Sequence, residues 1–399
     1  MLKHLSPTGS PIKLFELVSW FYSALSGSGN RAKLQNMVKR LLNREYSFLY
    51  STGRGAMTEL LSAVKALHGK HGERNEVILP AYTCYSVASS AINAGLKIRL
   101  CDIDPQTLSY DLQKLREIDF SRVAAIVSAN LYGLPNDLGA LERVAMEHGV
   151  LLIDDAAQSL NSKIDGRHVG TYGYAGILSL DKGKNVTSMQ GGLIVTNDSE
   201  LAEYLDKASE QLSDLSSKSK FIEFVKVFVY FLFLNPYAYK IPANISFSGL
   251  GETRFETEVE VKAYPEFLSS LAIAQFDRVE LITESRVSRG EFYEQTLNPG
   301  SGVSKIAKLE STEPVYLRYP ILVHDGDLRS DLLTQYRQYG ISASYPESLN
   351  LLSEIEAHLV TREACPGAER VAREIVTLPT HAFVTDNDAK RICEIVNKL

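Results

Sequence analysis

The chain has 399 residues, 45% apolar and 23% charged, the balance of a folded globular protein long enough for two domains rather than of a disordered or fibrous chain. A formal net charge of -6 offers no global positive field, which excludes nucleic acid as an expected partner. Four scattered cysteines without a CxxC pair give neither a disulfide framework nor a zinc signature, so a reducing, cytoplasmic setting and no metal site are expected.

In chain order, Pro7, Gly9 and Pro11 precede the first apolar run and no small-residue cleavage site follows it, so no signal peptide is expected. Gly27, Gly29 and Ala32 form a G-x-G-x-x-A string, but it follows a helix-period segment, Leu14 to Leu25. A dinucleotide fingerprint must follow a strand, so this string reads as a loop. From about residue 47 to 200, β-branched runs alternate with helical stretches, the pattern of a mainly parallel sheet covered by helices. The predicted strands are Glu76 to Leu79, Lys97 to Ile103, Ala124 to Ser128, Val150 to Asp154, Ala175 to Leu180 and Leu193 to Thr196. Met57 to Leu67 and Leu138 to His148 read as helices between them, the second ending before Gly149.

Residues 211–262 break this rhythm with a Ser/Lys stretch, the apolar run Phe221 to Leu234, and a segment punctuated by Pro and Gly. The run contains Glu223 and Lys226 and is shorter than the ~20 residues that span a bilayer. A long helix is predicted from Pro265 to about Thr296, then strand Val315 to Val323, a helix near Leu328 to Tyr339, and a terminal helix from Asp386. The expected architecture is α/β: a large doubly wound domain over 1–262 with an apolar insertion at about 211–262, and a small α+β domain over 263–399.

Chemistry gathers at three places. In LLIDDAAQS a buried-type strand ends in Asp154 and Asp155, and ligands of open α/β sheets lie beyond the C-terminal strand ends. Side chains alternate along a strand, so one of the two carboxylates should face a ligand. In SLDKGKNVTSMQGG two lysines, Lys182 and Lys184, follow a strand, where an amine can attack a carbonyl, and Gly191-Gly192 lets the chain return without bulk. In STGRGAM, Gly53, Arg54 and Gly55 stand just before the helix that begins near Met57, and small residues at a helix start expose backbone N–H groups that suit a phosphate.

With their order and context, these segments resemble fold-type I pyridoxal 5'-phosphate (PLP) enzymes, and within them the DegT/DnrJ/EryC1/StrS family of sugar aminotransferases. LPAYTCYSVASSAINAGLKIRLCDIDPQTL, VSANLYGLPNDLGALERVAMEHGVLLIDDAAQS and ACPGAERVAREIVTLPTH carry the resemblance along with the lysine segment. It implies a homodimer with Lys184 as the Schiff-base lysine and Asp155 as the partner of the pyridine nitrogen. Gln158 would touch the ring hydroxyl, and Gly53, Arg54 and Ser179 would bind the phosphate. Lys182 is left as a loop charge.

Several positions depart from the family pattern. Cys84 stands where an aromatic ring usually stacks on the cofactor, with Tyr85 as the alternative; Asn130 stands where histidine is usual. The family's Asn-x-Arg-Met type sequence, expected near Val261 to Tyr264, is absent, and Arg54 is expected to supply the missing phosphate contact. The implied activity is transfer of an amino group, with glutamate as expected donor, to a nucleotide-linked keto-sugar. The alternatives are a PLP-dependent sugar dehydratase, in which histidine replaces the lysine, and a non-catalytic sensor of the same fold. Phe221 to Leu234 reads either as a helix buried in the dimer interface or against the large domain, or as a peripheral membrane-surface helix at the inner membrane, with Lys218, Lys220 and Lys226 beside it.

Overall fold

The computed structural model describes residues 3–27, 29–68, 73–243, 255–298, 300 and 302–399, so 244–254 of the predicted insertion lie outside the described residues. Helices α1 (Leu14–Ser26) and α2 (Arg31–Leu42) lead into β1 (Tyr46–Tyr50) and α3 (Gly53–His68). There follow β2 (Glu76–Pro80), α4 (Tyr85–Asn93), β3 (Lys97–Cys101), α5 (Leu112–Glu117), β4 (Val123–Ala129), α6 (Leu138–His148) and β5 (Leu151–Asp155). The short hairpin β6 (Lys163–Ile164) and β7 (Arg167–His168) precedes β8 (Ala175–Ser179), β9 (Gly192–Thr196) and α7 (Ser199–Ser209).

These strands form a seven-stranded sheet in the order β1-β9-β8-β5-β4-β2-β3. From β3 to β8 all neighbours are parallel; β9 runs antiparallel to both β8 and β1. Strand alternation feeds two cores, one on each face: Ala125, Val127 and Ile153 pack on one side, Ile126 and Leu152 on the other. Both faces are covered, which is why the strands read as continuous apolar runs. Winding reverses at β2: the chain passes to β3 on one side and returns to β4 on the other, leaving a crevice at the strands' C-terminal ends.

The expected doubly wound, mainly parallel sheet is therefore present, with one strand more than anticipated. YSFLY forms β1, whose partner β9 lies far along the chain.

Beyond the sheet come α8 (Ser217–Phe233) and α9 (Lys240–Ala243). The predicted long helix is two, α10 (Ser269–Phe276) and α11 (Val279–Thr296). It breaks because Arg278 leaves helical geometry (φ -125°) and sends its guanidinium to the buried Glu16 carboxylate and the Pro11 carbonyl. The smaller α+β part holds β10 (Val303–Lys305), β11 (Thr312–Glu313), β12 (Arg318–Val323), α12 (Gly326–Gln335), α13 (Pro366–Glu374), β13 (Ile375–Pro379) and α14 (Asp386–Val396). β10, β12 and β13 form its antiparallel sheet, while β11 joins the β6–β7 hairpin.

Residues 6–10 run between this part and the sheet. The His381 imidazole donates to the Ser6 carbonyl (2.8 Å) inside the protein, and burial lowers its pKa to about 4. An unfolded histidine binds its proton near 6.5, so stability should fall as pH drops through that value and level off below about 4. The wild type should lose about 2 kcal/mol between about pH 7.5 and about pH 5 through this group, and His381→Gln should remove that part of the slope in urea titrations.

Candidate active site

The crevice at the switch point opens into a cavity of about 710 Å³, and all seven predicted site residues line it: Gly53, Arg54, Cys84, Asp155, Gln158, Ser179 and Lys184. They arrive from the same edge of the sheet. Cys84 follows β2, Asp155 ends β5, Ser179 ends β8, and Gly53 opens α3 directly after β1.

The two aspartates part as strand geometry requires. Asp154 is turned away from the cavity, where its carboxylate accepts from Asn130 Nδ2 (2.8 Å), Gly170 N (2.6 Å) and Tyr172 N (3.2 Å). Burial pushes its pKa up to about 7 against these three donors. Asp155 faces the cavity; Oδ1 accepts from Ala157 N (2.9 Å), and Oδ2 takes no protein hydrogen bond among the described residues. Burial raises its pKa and the nearby Lys184 charge opposes the rise. Asn130 fastens both, giving its amide to Asp154 and to the Asp155 carbonyl (2.9 Å).

Lys184 lies on the loop after β8 with its backbone pinned. Ser10 Oγ donates to the Lys184 and Asn185 carbonyls (2.7 Å each), Thr8 Oγ1 to the Gly183 carbonyl (2.8 Å), and Asn185 Nδ2 to the Leu160 carbonyl (2.8 Å). Lys182 is exposed and is not part of the cavity lining. Gly191, at φ +137°, passes the Tyr264 ring where a Cβ would come within 2.7 Å, and a Cβ on Gly192 would strike the Thr52 carbonyl. The glycine pair thus lets β9 close on the turn that opens α3.

At that turn an added Cβ on Gly53 would lie 3.2 Å from Ser179 Oγ, so the helix start and the serine share one small space. Arg54 is ion-paired with Glu256, while its Nε is buried without a hydrogen-bond partner among the described residues. Gln158 is fixed at both ends, accepting from Tyr132 N (3.0 Å) and donating to Tyr345 Oη (2.8 Å). Of the two candidates near the ring position, Cys84 lines the cavity; Tyr85 is held elsewhere, its hydroxyl donating to the Glu347 carbonyl (3.1 Å) and accepting from Glu347 N (3.0 Å).

Sequence reasoning missed part of the wall. Ser219 and Glu223 of α8 line the cavity, as do Glu256, Glu260 and Lys262. The signal for the first pair was present: Glu223 is the sole acid of the apolar run and lies four residues after Ser219, on the same helical face. Among the described residues, no helix is long and apolar enough to cross a membrane.

The start of α3, a guanidinium N–H and a strand-end carboxylate oxygen that take no hydrogen bond among the described residues, and a lysine, all around one cavity, fit a phosphorylated pyridine aldehyde. The model of the DegT/DnrJ/EryC1/StrS aminotransferase family matches residues 24–230 and 244–397. The dTDP-4-amino-4,6-dideoxy-D-glucose transaminase of Shigella dysenteriae is 25% identical over 404 residues, 99% of this chain and 97% of that protein. The GDP-4-keto-6-deoxy-D-mannose 3-dehydratase of Yersinia pseudotuberculosis is 32% identical over 160 residues, 39% of this chain and only 40% of its own length. Helicobacter pylori PseC, described as an aminotransferase of pseudoaminic acid biosynthesis, superposes with a TM-score of 0.80 at 17% identity over 99% of both chains. An Escherichia coli GDP-4-keto-6-deoxy-D-mannose-3-dehydratase with bound hydrated PLP gives 0.79 at 16% identity over 99% of this chain and 100% of the other.

Proposed function

Because the chain belongs to the DegT/DnrJ/EryC1/StrS aminotransferase family, we propose that it uses PLP to move an amino group from glutamate to a nucleotide-linked keto-sugar, as a cytoplasmic homodimer. The observation that carries this reading is the meeting of Lys184 and Asp155 in one cavity with the start of α3. Gly53, Arg54 and Ser179 would hold the cofactor phosphate, Asp155 the pyridine nitrogen, Gln158 the ring hydroxyl, Cys84 the ring face and Lys184 the aldehyde carbon. When bound, PLP supplies an electron-accepting ring that takes up the charge left when a substrate Cα proton departs.

The chain's residues do the rest. The Asp155 carboxylate keeps a positive partner charged opposite its open oxygen, and the Ala157 N–H holds its other oxygen in place. With PLP bound, the Lys184 amine would be the base that takes the proton from the substrate Cα and, once protonated, the acid that gives a proton back. The pinned backbone on either side of Lys184 limits this travel to the side chain. A sugar dehydratase of this fold would call for histidine at position 184; the lysine there favours transfer.

The test is to incubate the PLP-loaded protein with glutamate and a series of nucleotide keto-sugars, following visible absorbance and product mass. The reading expects a glutamate-dependent absorbance shift and an amino-sugar product. A deoxy product formed without consumption of donor would make the protein a dehydratase, and no response to any amino donor would make it a binding protein.

Arg54 offers a sharper check. Its ion pair with Glu256 must loosen or be shared for a phosphate to use the guanidinium. Arg54→Ala should weaken PLP binding about tenfold in absorbance titrations, while Glu256→Ala, which frees the charge, should not weaken it. Unchanged affinity in Arg54→Ala would leave the phosphate to the helix start and Ser179.

A further inference from the structure

The apolar run forms α8, and one of its faces is covered by the chain itself: Trp20 and Phe21 of α1 pack on Phe224 and Phe228 with ring centroids 5.0 to 6.0 Å apart. Its other face is open, and so is the matching face of α1. Ten of the fifteen large hydrophobic side chains left exposed among the described residues lie on these two helices. Leu14, Phe15, Tyr22 and Leu25 of α1 and Phe221 and Leu232 of α8 are each 58 to 69% exposed. The exposed positions share one spacing on both helices, i, i+1, i+4, i+8 and i+11. At about 100° per residue this makes a single stripe about 100° wide on each, and the two stripes border the aromatic seam.

Charge identifies what covers this surface. α1 and α8 hold two acids, Glu16 and Glu223; both are buried and both are ion-paired, to Arg278 and Lys226. The exposed charged side chains of the two helices and of the residue capping α1, Lys13, Lys218 and Lys226, are all cationic, in a chain whose net charge is -6. Lys13 and Lys218 have no ion pair among the described residues. A second copy seated on this face would bring the same lysines against one another with no exposed carboxylate on either helix to answer them, and Asp214, exposed just before α8, is already ion-paired with Lys220 and Arg31. A layer of anionic headgroups above acyl chains answers both the lysines and the stripes.

We infer that α1 and α8 together dock the protein flat on an anionic phospholipid bilayer. The site is carried along with the surface, because Ser219 and Glu223 on the inner side of α8 line the cavity.

The protein should pellet with vesicles of mixed phosphatidylglycerol and phosphatidylcholine, less so as salt rises, and should stay in solution with phosphatidylcholine alone. Phe15→Glu/Phe221→Glu should abolish pelleting while circular dichroism and oligomeric mass stay unchanged. Lys13→Gln/Lys218→Gln should weaken it by roughly twenty-fivefold, at about fivefold per lysine. No pelleting of the wild type, or equal pelleting with neutral vesicles, overturns the inference. So does a fall in oligomeric mass in the Phe15→Glu/Phe221→Glu variant, which would make the face an interface between copies.

Discussion

Replacing Lys184 by alanine is expected to abolish both the visible absorbance of the PLP-loaded protein and amino transfer, a loss of roughly ten-thousandfold or more in turnover. Lys182→Ala should keep both. The two residues differ in setting: Lys184 lines the cavity on a loop tied down on either side, whereas Lys182 is exposed outside it. Side-by-side spectra and single-turnover assays of the two variants check this, and the reverse outcome would place the reactive lysine two residues earlier.

The second large effect is expected at the strand end. Asp155→Asn should still bind PLP but turn over roughly a hundred- to a thousandfold more slowly, because the open oxygen facing the cavity no longer carries the charge that holds a proton opposite it. Asp154→Asn should act on stability instead. Its two oxygens accept three hydrogen bonds behind the site, and an amide there turns one acceptor into a donor facing a donor, costing about 1 to 3 kcal/mol. A kcat assay alongside urea denaturation separates the two roles; equal kinetic losses would defeat the assignment.

What could be read from the sequence is what local chemistry dictates. A strand ending in two carboxylates, a lysine before a glycine pair and a glycine-rich helix start are each a few residues long, and in the structure they line one cavity. The parallel strands were equally legible, because a sheet covered on both faces leaves uninterrupted apolar runs. What escaped depends on residues distant in the chain. YSFLY becomes a strand only because β9 returns beside it, and Gln158 is oriented by Tyr345 across 187 positions. Asp277–Arg278 interrupts a helical pattern because Glu16 and Pro11 draw the arginine away. No local periodicity carries such information.

The clamp on the lysine loop has a consequence for how the protein is made. Thr8 and Ser10 hold the backbone at Gly183, Lys184 and Asn185, but they are held in turn by Arg286, whose guanidinium donates to the Gly9 carbonyl (2.8 Å) and Ser10 Oγ (3.2 Å). Thr380 and His381 anchor the same stretch from further along, through Arg286 and through Ser6. During vectorial synthesis residues 8–10 therefore leave the ribosome long before the groups that fix them. A nascent chain can lay down the central sheet while its lysine loop stays unfastened, so the ability to capture a cofactor should arise late, after the last strand has left the exit tunnel.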